Sequence, residues 1–447
     1  MKFYIFFLIS ILGLINITLF ARESVITTTK DIIAIGDVHG DLDNLLQLLK
    51  RINIIDDNRH WIAPNTILVQ LGDQIDRGNQ DKAVIDFFKA IKQEAPSMGG
   101  AVYEVLGNHE AYNILLNFKY VAINDDFLSY YHPPLSLPTK CQEYYQTNTI
   151  PWFDTPYFRD QSLDGDPVPL AIRGRAATFC PGGEYAKIMS EKYVTLIVNK
   201  TLFVHAEVTP KYSKMKRSGL HAINEEVSAW AADSEYQTQL YKDIRAELLS
   251  DQEGPVKSRF FSKDFSEEKC SVLAEVLNDL GVDRMVVGHT IQPLGITSDC
   301  NGKIFRVDTG YSSGFFHFKW VQAPKEAIKI HHDQVIILKD EPWIQLFNKY
   351  QEDILNSTID CKMATPIDTN RPYSMCPREL AHIAFNYLAK IDDVYKDTVI
   401  SPDRPWQINS SYQFESDLPP IPSVDSCFFR LVDKIVVLEG KVKCNLP

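Results

Sequence analysis

No Cys-x-x-Cys pair occurs in the chain, which argues against a structural zinc site built on paired thiolates. Basic residues are also short: 46 Lys and Arg face 58 Asp and Glu, and the net charge of −12 argues against a nucleic-acid-binding surface. Long hydrophobic runs are missing after residue 21, so residues 22–447 are expected to be soluble, with no membrane-spanning segment.

The one long apolar run opens the sequence. Lys2 is followed by a stretch ending in Leu19-Phe20-Ala21. It reads as a secretory signal cleaved after Ala21, which leaves an exported chain starting near Arg22; uncleaved, it would serve as a membrane anchor. Eight cysteines, at 141, 180, 270, 300, 361, 376, 427 and 444, could then form up to four disulfides, with pairing that cannot be read from spacing. Cys180 and Cys270 read equally well as ordinary buried thiols. With 447 residues and 45% hydrophobic composition, the chain can build a large core and more than one domain.

Three polar clusters carry the chemistry: Gly36-Asp37-Val38-His39-Gly40, Gly72-Asp73-Gln74-Ile75-Asp76-Arg77-Gly78 and Gly107-Asn108-His109-Glu110. Each follows a short apolar run (Ile32 to Ile35, Ile67 to Leu71, Val102 to Leu106) and so belongs at the C-terminal end of a buried strand, where α/β sheets place their sites. Oxygen and imidazole donors delivered from several strand ends suit a pair of divalent metals. Asp37, His39, Asp73 and Asn108 are the first candidates. A lone Asp-x-His is commonly a loop turn; three clusters at near-equal spacing are not.

Helical spacing of Leu42, Leu45, Leu46, Leu48, Leu49 and Ile52, and again of Ala83, Val84, Phe87 and Phe88, predicts a βαβαβ unit. Residues 119–168, rich in Tyr, Pro and Asp, read as an inserted lid or subdomain. Strands resume at Leu202 to Val204, Arg284 to Val287 and Ile304 to Val307, with a helix from Glu267 to Leu280. His205 and His289 thereby also sit at strand ends. The other histidines read as structural.

These motifs resemble the PPP family of metallophosphatases, with its GDxHG, GDxxDRG and GNHE signatures. Leu106, Ala111-Tyr112-Asn113, Lys119-Tyr120-Val121, Gly174-Arg175-Ala176 and Pro181-Gly182-Gly183 look like the Shewanella-like protein phosphatases. The resemblance covers about residues 30–320 and implies a calcineurin-like β-sandwich flanked by helices, an α/β fold here carrying the insert and a C-terminal extension at 321–447. That extension should contain a strand within 328–338, helices at 342–355 and 378–390 and a strand at 434–438, with disulfides tying it down.

By resemblance Asp37, His39 and Asp73 would hold one metal, and Asp73, Asn108, His205 and His289 the other, with Asp73 bridging. The two divalent ions, manganese in vitro or iron and zinc, would bind phosphate oxygens and turn a bridging water into hydroxide near neutral pH. His109 would protonate the leaving oxygen, oriented by Asp76. Arg77 would clamp the phosphoryl group, joined by Asn108, Arg175 and Arg259. In so acidic a chain, metal and arginine must supply the local positive charge.

The implied activity is hydrolysis of phosphorylated proteins or peptides at Ser, Thr or Tyr. A dinucleotide polyphosphate hydrolase shares these motifs, and a noncatalytic binding protein on the same scaffold is the third reading. Two positions depart from the family. Glu207 stands where glycine normally follows His-Gly or His-Ala, so it would narrow the cleft or pair with an arginine, and Lys257 stands where a tryptophan is expected. The Ser-Ala-Pro-Asn-Tyr segment of toxin-sensitive members is missing, which implies resistance to those toxins.

Overall fold

A computed structural model describes residues 22–340 except 123–125, 131–169, 234, 237–243, 263–265, 293–294 and 315–322, and further on residues 363–364, 373–374, 428–432 and 435–439. Two sheets face each other. The first has the order β11-β10-β2-β3-β4: Gln334–Leu338, Ala327–His331, Asp31–Ile35, Thr66–Gln70 and Ala101–Glu104. The second has the order β1-β5-β6-β7-β9-β8: Val25–Ile26, Thr195–Val198, Thr201–Val204, Arg284–Val287, Ile304–Arg306 and Thr297–Asp299.

The strand alternation explains the layering. Ile32, Ala34, Ile67 and Val69 from the first sheet share a buried cluster with Leu196, Val198, Phe203, Val286 and Phe305 from the second, the interior of a sandwich. Their neighbours Ile33, Ile35 and Leu68 turn the other way, onto helices α1 (Leu42–Arg51) and α2 (Asp81–Glu94). On the opposite outer face, Leu202, Val204, Met285 and Val287 pack against the helices Lys216–Ala232 and Glu267–Leu280. Sheets covered on both faces need strands that are apolar throughout, which is how these read in sequence.

β2, β3 and β4 run parallel, with α1 and α2 as the crossovers, as the periodicity of the sequence predicts. The helix at Glu267–Leu280 has the predicted bounds, capped by Ser266 and closed by Gly281 in the left-handed region at φ 63°. Not foreseen were β5 and the long helix Lys216–Ala232. Nor is Ile304–Arg306 the last strand of the catalytic unit. The hairpin β10–β11 pairs Ile328 with Ala34 and Ile330 with Ile32, so the first sheet runs past the expected boundary at 320.

Of the predicted insert, residues 119–122 and 126–130 are described. The expected helices at 342–355 and 378–390, the opening segment 1–21 and the cysteines at 427 and 444 lie outside the described residues. Within the extension, Met363–Ala364, Tyr373–Ser374, Phe428–Val432 and Ile435–Glu439 form a small four-stranded antiparallel sheet. Among the described residues no helix is long and apolar enough to cross a membrane.

Cys270 is not a free thiol. It bonds Cys300 across a separation of 30 residues, tying the helix Glu267–Leu280 to the turn between β8 and β9, and Cys180 is disulfide-bonded as well. Replacing Cys270 and Cys300 together by serine is expected to cost about 2–4 kcal/mol, the usual worth of closing a loop of this length. Denaturant unfolding of the double variant checks this, and an unchanged midpoint would refute it.

Candidate metal centre

The loops after β2, β3, β4, β6 and β7 converge at one rim of the sandwich. Asp37 and His39 come from the first, Asp73, Asp76 and Arg77 from the second, Asn108 and His109 from the start of α3 (Asn108–Ile114), and His205 and His289 from the last two. The loops are tightly wound. His39, Asp73, Asp76, Arg77 and His289 all have positive φ, between 47° and 72°, a region side chains of this kind rarely adopt. Gly107 makes room for this, since a Cβ there would lie 2.1 Å from Asp73 Oδ1.

Asp73 is the hub. Its Oδ2 lies 3.5 Å from His39 Nε2, 3.3 Å from His205 Nε2 and 3.8 Å from His109 Nε2. His39 Nε2 is also 3.7 Å from Asp37 Oδ2, and Asn108 Oδ1 is 3.0 Å from His205 Nε2. Two groups of potential donors result, His39, Asp73 and His109, and Asp73, His205 and His289, each with its donor atoms within 4.8 Å of one another. They share Asp73. The structure thus brings together all six residues predicted from sequence, Asp37, His39, Asp73, Asn108, His205 and His289, and sets His109 Nε2 beside Asp73 at their edge.

The other ring nitrogens are already engaged. His39 Nδ1 is 3.2 Å from Ile75 O, His205 Nδ1 is 2.6 Å from Leu71 O, and His289 Nε2 is 2.9 Å from Lys257 O. A carbonyl at one nitrogen fixes the tautomer and leaves the other nitrogen's lone pair toward the centre, the arrangement metal-binding histidines use. The electrostatics agree. Burial pushes the Asp37 carboxyl well up, with the charges of Asp308 and Asp73 adding to it. Burial also opposes ionisation of Asp73, but the imidazoles of His205, His109 and His39 outweigh it and hold that carboxyl well below its usual range. Burial and the nearby His109 push the His39 imidazole well down, toward its neutral, ligating form. Burial works against charge on the His205 imidazole too, but Asp73 outweighs it and raises that group, so a divalent cation would take the place of the His205 proton beside Asp73 and relieve the repulsion at Asp37.

Beside this cradle, His109 Nδ1 is 2.7 Å from Asp76 Oδ2. Asp76 Oδ1 in turn accepts from Asn113 Nδ2 at 2.9 Å and Arg175 Nη2 at 2.9 Å. Arg175 is not placed as expected. It is almost fully buried, donates also to Asp81 Oδ2 at 2.7 Å and Asn113 Oδ1 at 2.6 Å, and so lies behind the dyad rather than facing a phosphate. Arg77 is half-buried, its guanidinium 4.8 Å from the ring centre of Tyr120, which is 4.9 Å from that of His109. Arg259 lies against the turn that carries His289, donating to His289 O at 3.1 Å and to Thr290 Oγ1 at 3.2 Å.

Several residues that shape the site carry no separate signal in the sequence. Glu110 belongs to the third motif, yet nothing there shows that its carboxylate accepts the backbone N–H groups of Asp73, Gln74 and Gly107 at 2.7–2.9 Å, pinning two loops together. Asp308, raised to about 6 by burial, follows β9 beside Asp37, and strand-end placement is the signal that could have marked it. Glu207 neither narrows the cleft nor pairs with an arginine: its buried carboxylate turns into a ring of Ser262, Phe261 and Ser258 donors.

Residues 30–293 match the family model of the calcineurin-like phosphoesterases. The chain is 31% identical over 299 residues to Shewanella-like protein phosphatase 2 of Arabidopsis thaliana, covering 63% of this chain and 72% of that relative. It is 28% identical over 290 residues to Shewanella-like protein phosphatase 1 of Plasmodium berghei, covering 63% and 67%. In fold it resembles a point mutant of a cold-active protein tyrosine phosphatase, with a TM-score of 0.50, 24% identity and coverage of 72% of this chain and 81% of that one. Family model, relatives and the shared architecture agree: the chain belongs to the calcineurin-like phosphoesterases, metal-dependent hydrolases of phosphoric esters, among the Shewanella-like phosphatases of the PPP family.

Proposed function

We propose that the chain is a phosphoprotein phosphatase in which Asp37, His39 and Asp73 hold one metal, Asp73, Asn108, His205 and His289 hold the other, and His109 stays outside both ligand sets as the general acid. The observation that carries this reading is the pair of overlapping donor groups with the His109–Asp76 dyad at their edge. The names of the Arabidopsis and Plasmodium relatives support a phosphorylated protein as substrate. Two divalent ions, manganese in vitro or iron with zinc, would supply Lewis acidity to the phosphoryl oxygens and an acidified water.

The chain's own residues do the rest. Asp76 accepts the Nδ1 proton of His109, which leaves Nε2 to carry the proton for the leaving oxygen. Arg175 and Asn113 hold the other oxygen of Asp76, so the carboxylate cannot rotate away from the imidazole. Arg77, beside Tyr120, and Arg259, against the turn of His289, would offer planar guanidinium groups to the phosphoryl oxygens. We also infer export after removal of residues 1–21, which the Cys270–Cys300 disulfide supports, since such bonds persist in oxidising compartments. Mass determination of the chain produced with its own leader tests this, and a retained Met1 to Ala21 would refute it.

Phosphate release with manganese from matched phosphotyrosine, phosphoserine and phosphothreonine peptides, beside diadenosine tetraphosphate, tests the function. Turnover of peptides is expected. Cleavage of the dinucleotide alone would reassign the substrate, and no turnover of any of them would favour a binding scaffold. His109→Ala should lower turnover about a hundred- to ten-thousandfold while metal content persists, the usual share of a general acid. Asp73→Ala should empty the centre, read by metal analysis. Arg175→Met leaves Asp76 and Asp81 buried without their cation and should cost about 3–5 kcal/mol in unfolding experiments, where loss of an exposed phosphate-gripping arginine would cost almost nothing.

A further inference from the structure

Glu207 departs from the family pattern without touching any predicted ligand. It follows β6 two residues after His205, and its carboxylate is fully buried. Oε1 accepts from Ser262 Oγ at 2.6 Å, and Oε2 accepts from the backbone N–H of Phe261 at 2.8 Å and lies 3.3 Å from Ser258 Oγ, whose one proton is shared with Gln252 O at 3.0 Å. The same segment is sewn to β6 through its backbone, where Ala206 N donates to Pro255 O at 3.0 Å and Glu207 N to the same oxygen at 3.3 Å.

That segment carries two groups the centre uses. Lys257 O lies 2.9 Å from His289 Nε2 and fixes that ring, and Arg259 is laid over His289 and Thr290. Backbone bonds from Pro255 hold its beginning; the three contacts to Glu207 hold it from Ser258 onward. A glycine at 207 could make none of them.

We propose that Glu207 is a positioning residue whose carboxylate fastens the Ser258–Ser262 segment to the end of β6, and thereby sets the Lys257 carbonyl under His289 and Arg259 at the rim of the centre. This rests on the phosphatase reading above. A free carboxylate in that pocket would be expensive, so the two serines and the Phe261 amide are the condition for the residue to be there at all.

The test uses the full-length chain and two readouts that need no turnover: metal content after dialysis, and calorimetric binding of inorganic phosphate to the manganese-loaded protein. Glu207→Ala is expected to weaken metal retention and phosphate binding by about tenfold or more, the range seen when the partner of a metal-binding histidine is disturbed. Glu207→Gln should keep both near the wild-type values, because its carboxamide can accept from Phe261 and donate to Ser262 Oγ. Wild-type binding in Glu207→Ala, even with a lowered unfolding temperature, would overturn the proposal, as would an equal loss in Glu207→Gln. If Glu207→Ala does not fold, Ser262→Ala carries the test, with a smaller loss in the same direction expected and unchanged binding refuting it. A wild-type chain that binds neither metal nor phosphate would instead sink the phosphatase reading and leave the three contacts of Glu207 to stability alone.

Discussion

The buried carboxylate of Asp73 is the constraint on which the rest depends. One of its oxygens faces three imidazoles within 3.8 Å, and the other accepts the backbone N–H of His109. An anion so deep in the protein is tolerable only when cations or hydrogen-bond donors surround it. The surrounding architecture can be read as the means of meeting that condition. Parallel strands bring the loops to one rim, and the helices behind them keep the strands dry enough for the rim to stay rigid.

Holding five loops at such close quarters strains the backbone. His39, Asp73, Asp76, Arg77 and His289 stand in the left-handed region, where a non-glycine residue costs of order 1–3 kcal/mol. The strain is carried by neighbours with no direct part in the chemistry. Glu110 ties three backbone N–H groups of two loops, and Ser312 Oγ donates to His39 O from the segment after β9. Strain concentrated on donors, and bracing concentrated on their neighbours, is what a preorganised centre requires.

Much of this was legible in the sequence because the donors sit directly after apolar runs, and an apolar run buried on both faces has a predictable end. Asp37, Asp73 and Asn108 could be placed from Ile32 to Ile35, Ile67 to Leu71 and Val102 to Leu106 alone. What could not be read are pairings across long separations. Arg175 lies 99 positions from Asp76 and 94 from Asp81, and no local pattern tells whether a guanidinium will meet a phosphate or two buried carboxylates. The hairpin Ala327–His331 and Gln334–Leu338 was visible as one strand, but its seat beside β2 is a matter of tertiary pairing.

Arg175 shows why that distinction matters for function. A guanidinium on the open side acts on the substrate, and its loss is felt in binding. One buried behind Asp76 acts on the acid: it compensates the charge of a carboxylate that must stay ionised to hold the Nδ1 proton of His109, and through Asp81 it ties that carboxylate to the first turn of α2. The positive charge that an acidic chain of net −12 needs at this rim is therefore divided. Part of it lies with the half-buried Arg77 and Arg259, and part is spent inside, keeping the proton donor aligned before any phosphate arrives.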